Sequence, residues 1–169
     1  MSLNSPENIF PTGIFLTKDA CVVIVRTEWN APIVNLLENG CTEILRQNNI
    51  PFVMLTVPGA VEISFAIKRY WDLHNEKKNH PAAFIALGCV IRGDTPHFDY
   101  VCNTVTEGIL HLNLHLPVPT IFGVLTVNTE AQADERTTGK LGNKGAEAAV
   151  TALKMISLNE KIKLINEAD

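Results

Sequence analysis

The chain has no C-x-x-C pair, no excess of charge of one sign and no apolar run approaching the roughly 18 residues of a membrane span. Each absence removes a class of function. Cys21, Cys41, Cys89 and Cys102 stand apart. Among the five histidines only His111 and His115 are four residues apart, and no acidic or cysteine companion lies near them, so the pair reads as a solvated helix end and no metal is expected. The cysteines sit mostly in apolar runs, where a reduced thiol behaves as a small hydrophobe; a reducing compartment follows. Fourteen Lys and Arg are interspersed with 18 Asp and Glu, a net charge of -4, which is no field for a nucleic-acid backbone. The opening MSLNSPENIF lacks a basic start followed by an apolar stretch. A cytoplasmic protein without a membrane or nucleic-acid partner is expected.

What is present is material for a core. The 169 residues are 46% hydrophobic and 19% charged, enough for one domain and outside the range of disordered chains. Apolar runs rich in β-branched residues at Cys21 to Val25, Phe52 to Val57, Ala82 to Ile91 and Thr120 to Val127 read as buried parallel strands. Helical periodicity marks Ala31 to Gln47, Ala60 to Leu73, about Phe98 to Leu114, Ala131 to Thr137 and Lys144 to Leu158. Asn30 before Pro32 and the pair Thr129 and Gln132 have the form of helix caps. The alternation implies right-handed crossovers and an α/β fold, a flavodoxin-like three-layer α/β/α sandwich on a four-stranded parallel sheet. Residues 1–18 read as an N-terminal extension, 19–158 as the domain, and 159–169 as a polar, irregular tail. The stretch HNEKKNH from His74 to His80 reads as a charged surface connection.

In such sheets ligands bind beyond the carboxyl ends of the strands, so chemistry is sought after Val25, Val57, Ile91 and Val127. After the first strand, Trp29 offers an indole for stacking on a flat ring; the plainer alternative packs it between helix and sheet. After the second, Pro58-Gly59-Ala60-Val61-Glu62 is a tight turn into a helix, with free N–H groups and small side chains. There Glu62 either complements the helix dipole or meets a polyhydroxyl or uracil-like ligand. After the third, Gly88 to Thr95 superficially resembles a triphosphate loop, but Asp94 stands where the lysine would be, which excludes a nucleoside triphosphatase. Thr95 and the amides opening the next helix suit a single phosphate. His97 follows at the helix start, where the positive dipole end favours the neutral imidazole that proton transfer needs. After the fourth, Arg136 is a candidate phosphate fork, unless it merely pairs with Asp134 or Glu135.

Together Trp29-Asn30, VPGAVEISFA from Val57, ALGCVIRGDTPHFDYV from Ala86, PTIFGVLT from Pro119 and ERTTGKLGNKGAEAA from Glu135 resemble the lumazine synthase family of riboflavin biosynthesis. The resemblance implies condensation of 5-amino-6-(ribitylamino)uracil with 3,4-dihydroxy-2-butanone 4-phosphate, without metal or organic cofactor. It implies proton transfer at His97, phosphate binding at Arg136 and the Asp94-Thr95 turn, and an aromatic platform at Trp29 beside Asn30. It further implies ribityl and ring contacts at Ala60, Val61 and Glu62, and a pocket wall at Val90 and Ile91. Phe122, Gly123, Lys144 and Arg136 correspond to positions that a neighbouring subunit contributes, in a homopentamer that some members build into an icosahedral shell. This sequence departs from the family pattern at Val61, where many members carry an aromatic residue, and at Asp94, where others carry a small or amide residue; Trp29, larger than the commoner phenylalanine, offsets the first. A flavin- or lumazine-binding module, or a shell protein without turnover, is the alternative, which the retention of His97, Arg136 and Lys144 disfavours.

Overall fold

Four apolar runs make one sheet whose two central strands are buried on both faces and whose two edge strands are partly exposed. The computed structural model describes residues 20–77, 80–138 and 140–166. The extension over 1–18, Lys78 and Asn79 of the charged connection, Gly139 and the tail residues 167–169 lie outside the described residues. The strands are β1 (Cys21–Thr27), β2 (Phe52–Val57), β3 (Pro81–Ile91) and β4 (Thr120–Val127), all parallel in the order β2-β1-β3-β4. Between and after them run α1 (Ala31–Gln47), α2 (Ile63–His74), α3 (His97–His115), α4 (Glu130–Asp134) and α5 (Lys144–Asn166). This is the expected flavodoxin-like sandwich, whose strand order reverses between β1 and β3.

The two-residue period of the strands divides the core. Val22, Ile24, Ile85 and Leu87 face α1 and α5 with Leu37, Leu45, Leu153 and Ile156; Val23, Val25, Phe84 and Ala86 face α2 and α3 with Ile63, Ile67, Val105 and Ile109. Burying each large aliphatic chain stabilises the fold by about 1.5–3 kcal/mol, so neither helical layer is dispensable. Gly145 is where α5 meets α1: a methyl there would stand 1.9 Å from the Leu37 carbonyl oxygen.

Several boundaries differ from the sequence reading. Strand β1 runs on to Thr27 because Arg26 and Thr27 continue the ladder with Thr56 and Val57. The second helical segment opens as a 3-10 turn over Ala60–Glu62 before α2 begins. Helix α4 stops at Asp134: Asn143 captures the Thr137 carbonyl at 2.9 Å and holds the following chain as a turn. The end expected to be irregular from Asn159 is helix to Asn166, where Asn159 donates to the Pro117 carbonyl at 3.0 Å and Met155, Leu158, Ile162 and Ile165 continue one apolar stripe at helical spacing. Asn30 does not cap α1 with its side chain. Its backbone is left-handed (φ 57), and its amide instead donates to the Cys89 carbonyl at 2.8 Å. Thr129 caps α4 as expected by accepting from Gln132 N–H at 3.3 Å, while the Gln132 side chain accepts from Asn128 N–H rather than from Thr129.

Candidate active site

At the strand-order reversal the chain leaving β1 is laced onto the turn after β2. Glu28 N–H donates to Val57 at 2.8 Å and Trp29 N–H to Pro58 at 3.2 Å. That lays the indole over Gly59, where a methyl would stand 2.7 Å from Trp29 Cζ3; only glycine admits this contact. Trp29 remains 67% exposed, so the alternative of an indole buried between helix and sheet does not hold, and a ring face is free. Below it Glu62 accepts from Gly59 N–H at 3.0 Å, which fixes the turn. Ala60 is buried, Val61 is 43% exposed, and Val90 and Ile91 end β3 half-buried. Asn30, through Cys89, ties the β1 loop to β3. Burial pushes the Cys89 thiol up to about 11, aided by Glu130, and the Cys41 thiol up to about 12, aided by Glu38; neither is a nucleophile near neutrality.

Beyond β3, Asp94, Thr95 and His97 are exposed and hydrogen-bond through their side chains to no described residue. Helix α3 begins at His97 behind Pro96, which supplies no side-chain cap; Asp99 N–H turns back to the Pro96 carbonyl at 3.0 Å, and the N–H groups of His97 and Phe98 are left to the exposed loop that carries Thr95. Sequence reasoning passed over Arg92. Its guanidinium donates from Nη2 to Asp99 at 2.8 Å and from Nε to Asn128 at 3.0 Å, and its Cζ lies 4.2 Å from the Phe98 ring centroid. The hydrogen bond to Asp99 raises the pKa of this guanidinium above its ordinary value.

Of the other sequence-predicted residues, Phe122, Gly123 and Lys144 lie at the outer edge of β4 and Arg136 in the turn after α4. Phe122, Gly123 and Lys144 line a cavity of about 510 Å³ together with Glu147, Thr151 and Met155. Lys144 Nζ donates to both Glu147 carboxylate oxygens at 2.8 Å. Gly123 is compelled: a methyl there would meet the Ala86 carbonyl oxygen at 2.7 Å. Arg136 forms no ion pair with Asp134 or Glu135; its Nη1 donates to the Gln132 carbonyl at 2.7 Å. Asn143, also missed, donates to the Leu36 and Thr137 carbonyls at 2.9 Å and accepts from Gly145 and Ala146 N–H, so it clamps the turn carrying Lys144 onto α1. A polar residue between two glycines before a helix was its only signal.

The structure therefore groups Trp29, Asn30, Ala60, Val61 and Glu62 at the reversal point, with Val90, Ile91, Asp94, Thr95 and His97 following from β3. It groups Phe122, Gly123 and Lys144 separately on the β4 edge. Among the described residues no cluster of three or more His, Cys, Asp or Glu could hold a metal, and no helix is long and apolar enough to cross a membrane.

Residues 19–160 match the family described as 6,7-dimethyl-8-ribityllumazine synthase. A 6,7-dimethyl-8-ribityllumazine synthase of Porphyromonas gingivalis is 46% identical over 144 residues, covering 83% of this chain and 86% of that one. One of Parabacteroides distasonis is 47% identical over 139 residues, covering 80% and 84%. One of Bacteroides fragilis is 44% identical over 136 residues, covering 79% and 92%.

Proposed function

The chain belongs to the 6,7-dimethyl-8-ribityllumazine synthase family, and on that premise we infer that it condenses 5-amino-6-(D-ribitylamino)uracil with 3,4-dihydroxy-2-butanone 4-phosphate, the penultimate step of riboflavin biosynthesis. The products are 6,7-dimethyl-8-ribityllumazine, phosphate and water. The observation that carries this reading is the family match across a chain whose reversal point presents a free indole face beside a histidine-headed helix.

The pyrimidine stacks on Trp29, while Ala60, Val61, Glu62 and Asn30 meet its edge and ribityl chain, and Val90 and Ile91 form the wall. The phosphate rests against Asp94, Thr95 and the uncapped start of α3, where the carboxylate of Asp94 keeps the site to one phosphate group. Amine attack on the ketone, Schiff-base formation, loss of phosphate, tautomerisation and ring closure each move protons, and His97 carries them. Holding two partners in register contributes up to about 7–11 kcal/mol in well-oriented systems, more than the roughly 10²- to 10⁴-fold of a placed histidine, so binding outweighs acid-base work.

Arg136, Phe122, Gly123 and Lys144 serve the site of an adjacent copy. Two unlike apolar faces support a head-to-tail ring. One joins the β4 edge to Met155, Leu158 and Ile162 of α5; the other is a cleft of about 390 Å³ lined by Leu55, Phe65, Tyr70 and Leu73 beside β2. The ring is a homopentamer, of the kind that some members of the family build further into an icosahedral shell. The catalytic domain spans residues 19–158, and four unpaired cysteines agree with a cytoplasmic setting. Mixing the purified protein with both substrates is expected to give lumazine absorbance and phosphate together. Ligand binding without either signal would leave a binding module instead.

A further inference from the structure

We propose that Arg92 is the positioning residue for His97, setting proton transfer without touching substrate; this rests on the role given to His97 above. The loop before His97 does not place it: Gly93 to Pro96 are exposed, and a methyl on Gly93 would meet nothing within 4 Å. The His97 ring hydrogen-bonds to no described residue, so its orientation is inherited from the first turn of α3. The next two residues of that turn are both held by Arg92. Its guanidinium carbon lies 4.2 Å from the Phe98 ring centroid, and its two terminal nitrogens reach Asp99 at 2.8 and 3.4 Å.

The same side chain spans the sheet. Arg92 Nε donates to Asn128 Oδ1 at 3.0 Å, and Arg92 N–H closes the β3–β4 ladder on the Val127 carbonyl at 2.9 Å. One planar fork thus fastens α3 to the ends of both strands, which a lysine point charge does not reproduce. The chain of bonds continues: Asn128 N–H donates to Gln132 Oε1 at 2.8 Å, and the Gln132 carbonyl accepts from Arg136 at 2.7 Å. The turn that aims His97 and the turn after α4 that carries Arg136 are therefore braced by one network.

The test is a cycle of R92Q, H97A and the double variant, with R92K and N128A beside them, read as kcat, KM for each substrate and the pH profile of kcat. R92Q is expected to lower kcat roughly 10- to 100-fold, the scale of an ångström-level misplacement, and to alter the pH profile as H97A does, with KM for the pyrimidine within about twofold. The double variant should be no slower than H97A, because Arg92 acts through that ring. R92K and N128A, which keep the charge or the guanidinium, should fall between R92Q and the parent. A double variant slower than H97A by the full R92Q factor would overturn the proposal, as would unchanged kcat in both R92K and N128A. If H97A itself keeps the parent kcat, the role of His97 fails first and that of Arg92 with it.

Discussion

The mouth between β1 and β3 and the outer edge of β4 hold complementary inventories. The mouth has chemistry with little enclosure: outside half-buried Val90 and Ile91, Trp29 is 67% exposed and His97 stands in solvent. The β4 edge has walls without chemistry: a cavity of about 510 Å³ whose lysine is already paired with Glu147, and which no histidine lines. An enzyme that must exclude water from a Schiff base needs both. The contrast is between one half at the carboxyl ends of the central strands and another on the β4 edge, an arrangement that suits the head-to-tail ring proposed above better than a self-contained pocket.

The comparison breaks first if the halves do not differ in what they contribute. H97A is expected to slow kcat by about 10²-fold with KM values little changed. R136A is expected to raise KM for the phosphate substrate roughly 10- to 100-fold, the loss of a charge-assisted fork, with kcat less affected. Steady-state kinetics of both variants check this, and unchanged kinetics in both would remove the residue assignments.

A sharper test mixes the halves. If His97 and Arg136 at one site come from neighbouring copies, H97A and R136A chains unfolded, combined in equal amounts and refolded should regain about a quarter of the parental activity at low phosphate substrate. A quarter is the chance that an interface draws its intact histidine from one parent and its intact arginine from the other. Activity equal to the average of the separate variants would return both residues to one chain.

What could be read beforehand divides along the same line. All four strands were legible because each is a largely continuous apolar run, the central pair buried on both faces, and the glycines and His97 followed from where such strands end. The β4-edge residues were legible only as family positions, since nothing in the local sequence marks Phe122 as part of a site. Contacts between distant segments were invisible: Asn30 looks like a helix cap because its true partner, Cys89, is 59 positions away, and Arg92 looks like part of a loop until Asp99 and Asn128 close around it. The helical end from Asn159 was misread because lysines and glutamates hid a stripe, Met155, Leu158, Ile162 and Ile165, that is visible only at a spacing of three and four.

Smaller effects sharpen the mouth itself. G59A places a methyl 2.7 Å from the indole, so Trp29 must swing off the turn. KM for the pyrimidine should rise about tenfold with KM for the phosphate substrate unchanged, which separates an aromatic-platform defect from a general one. A parallel rise in both constants would mean that the turn, not the indole, has been damaged.

The least disruptive change distinguishes the platform from its bulk. W29F keeps a ring face and should change KM for the pyrimidine by less than about threefold, whereas W29A loses the stacking contact worth roughly 0.5–1.5 kcal/mol and more for the area it covers. Because Trp29 is largely exposed, neither variant should move the melting temperature appreciably. The clash at Gly59 involves Cζ3 and Cε3 of the six-membered indole ring, which phenylalanine does not extend as far. G59A should therefore cost less in the W29F background than in the parent. An equal cost in both backgrounds would assign the effect of Gly59 to its own backbone, and the indole would no longer be what that glycine makes room for.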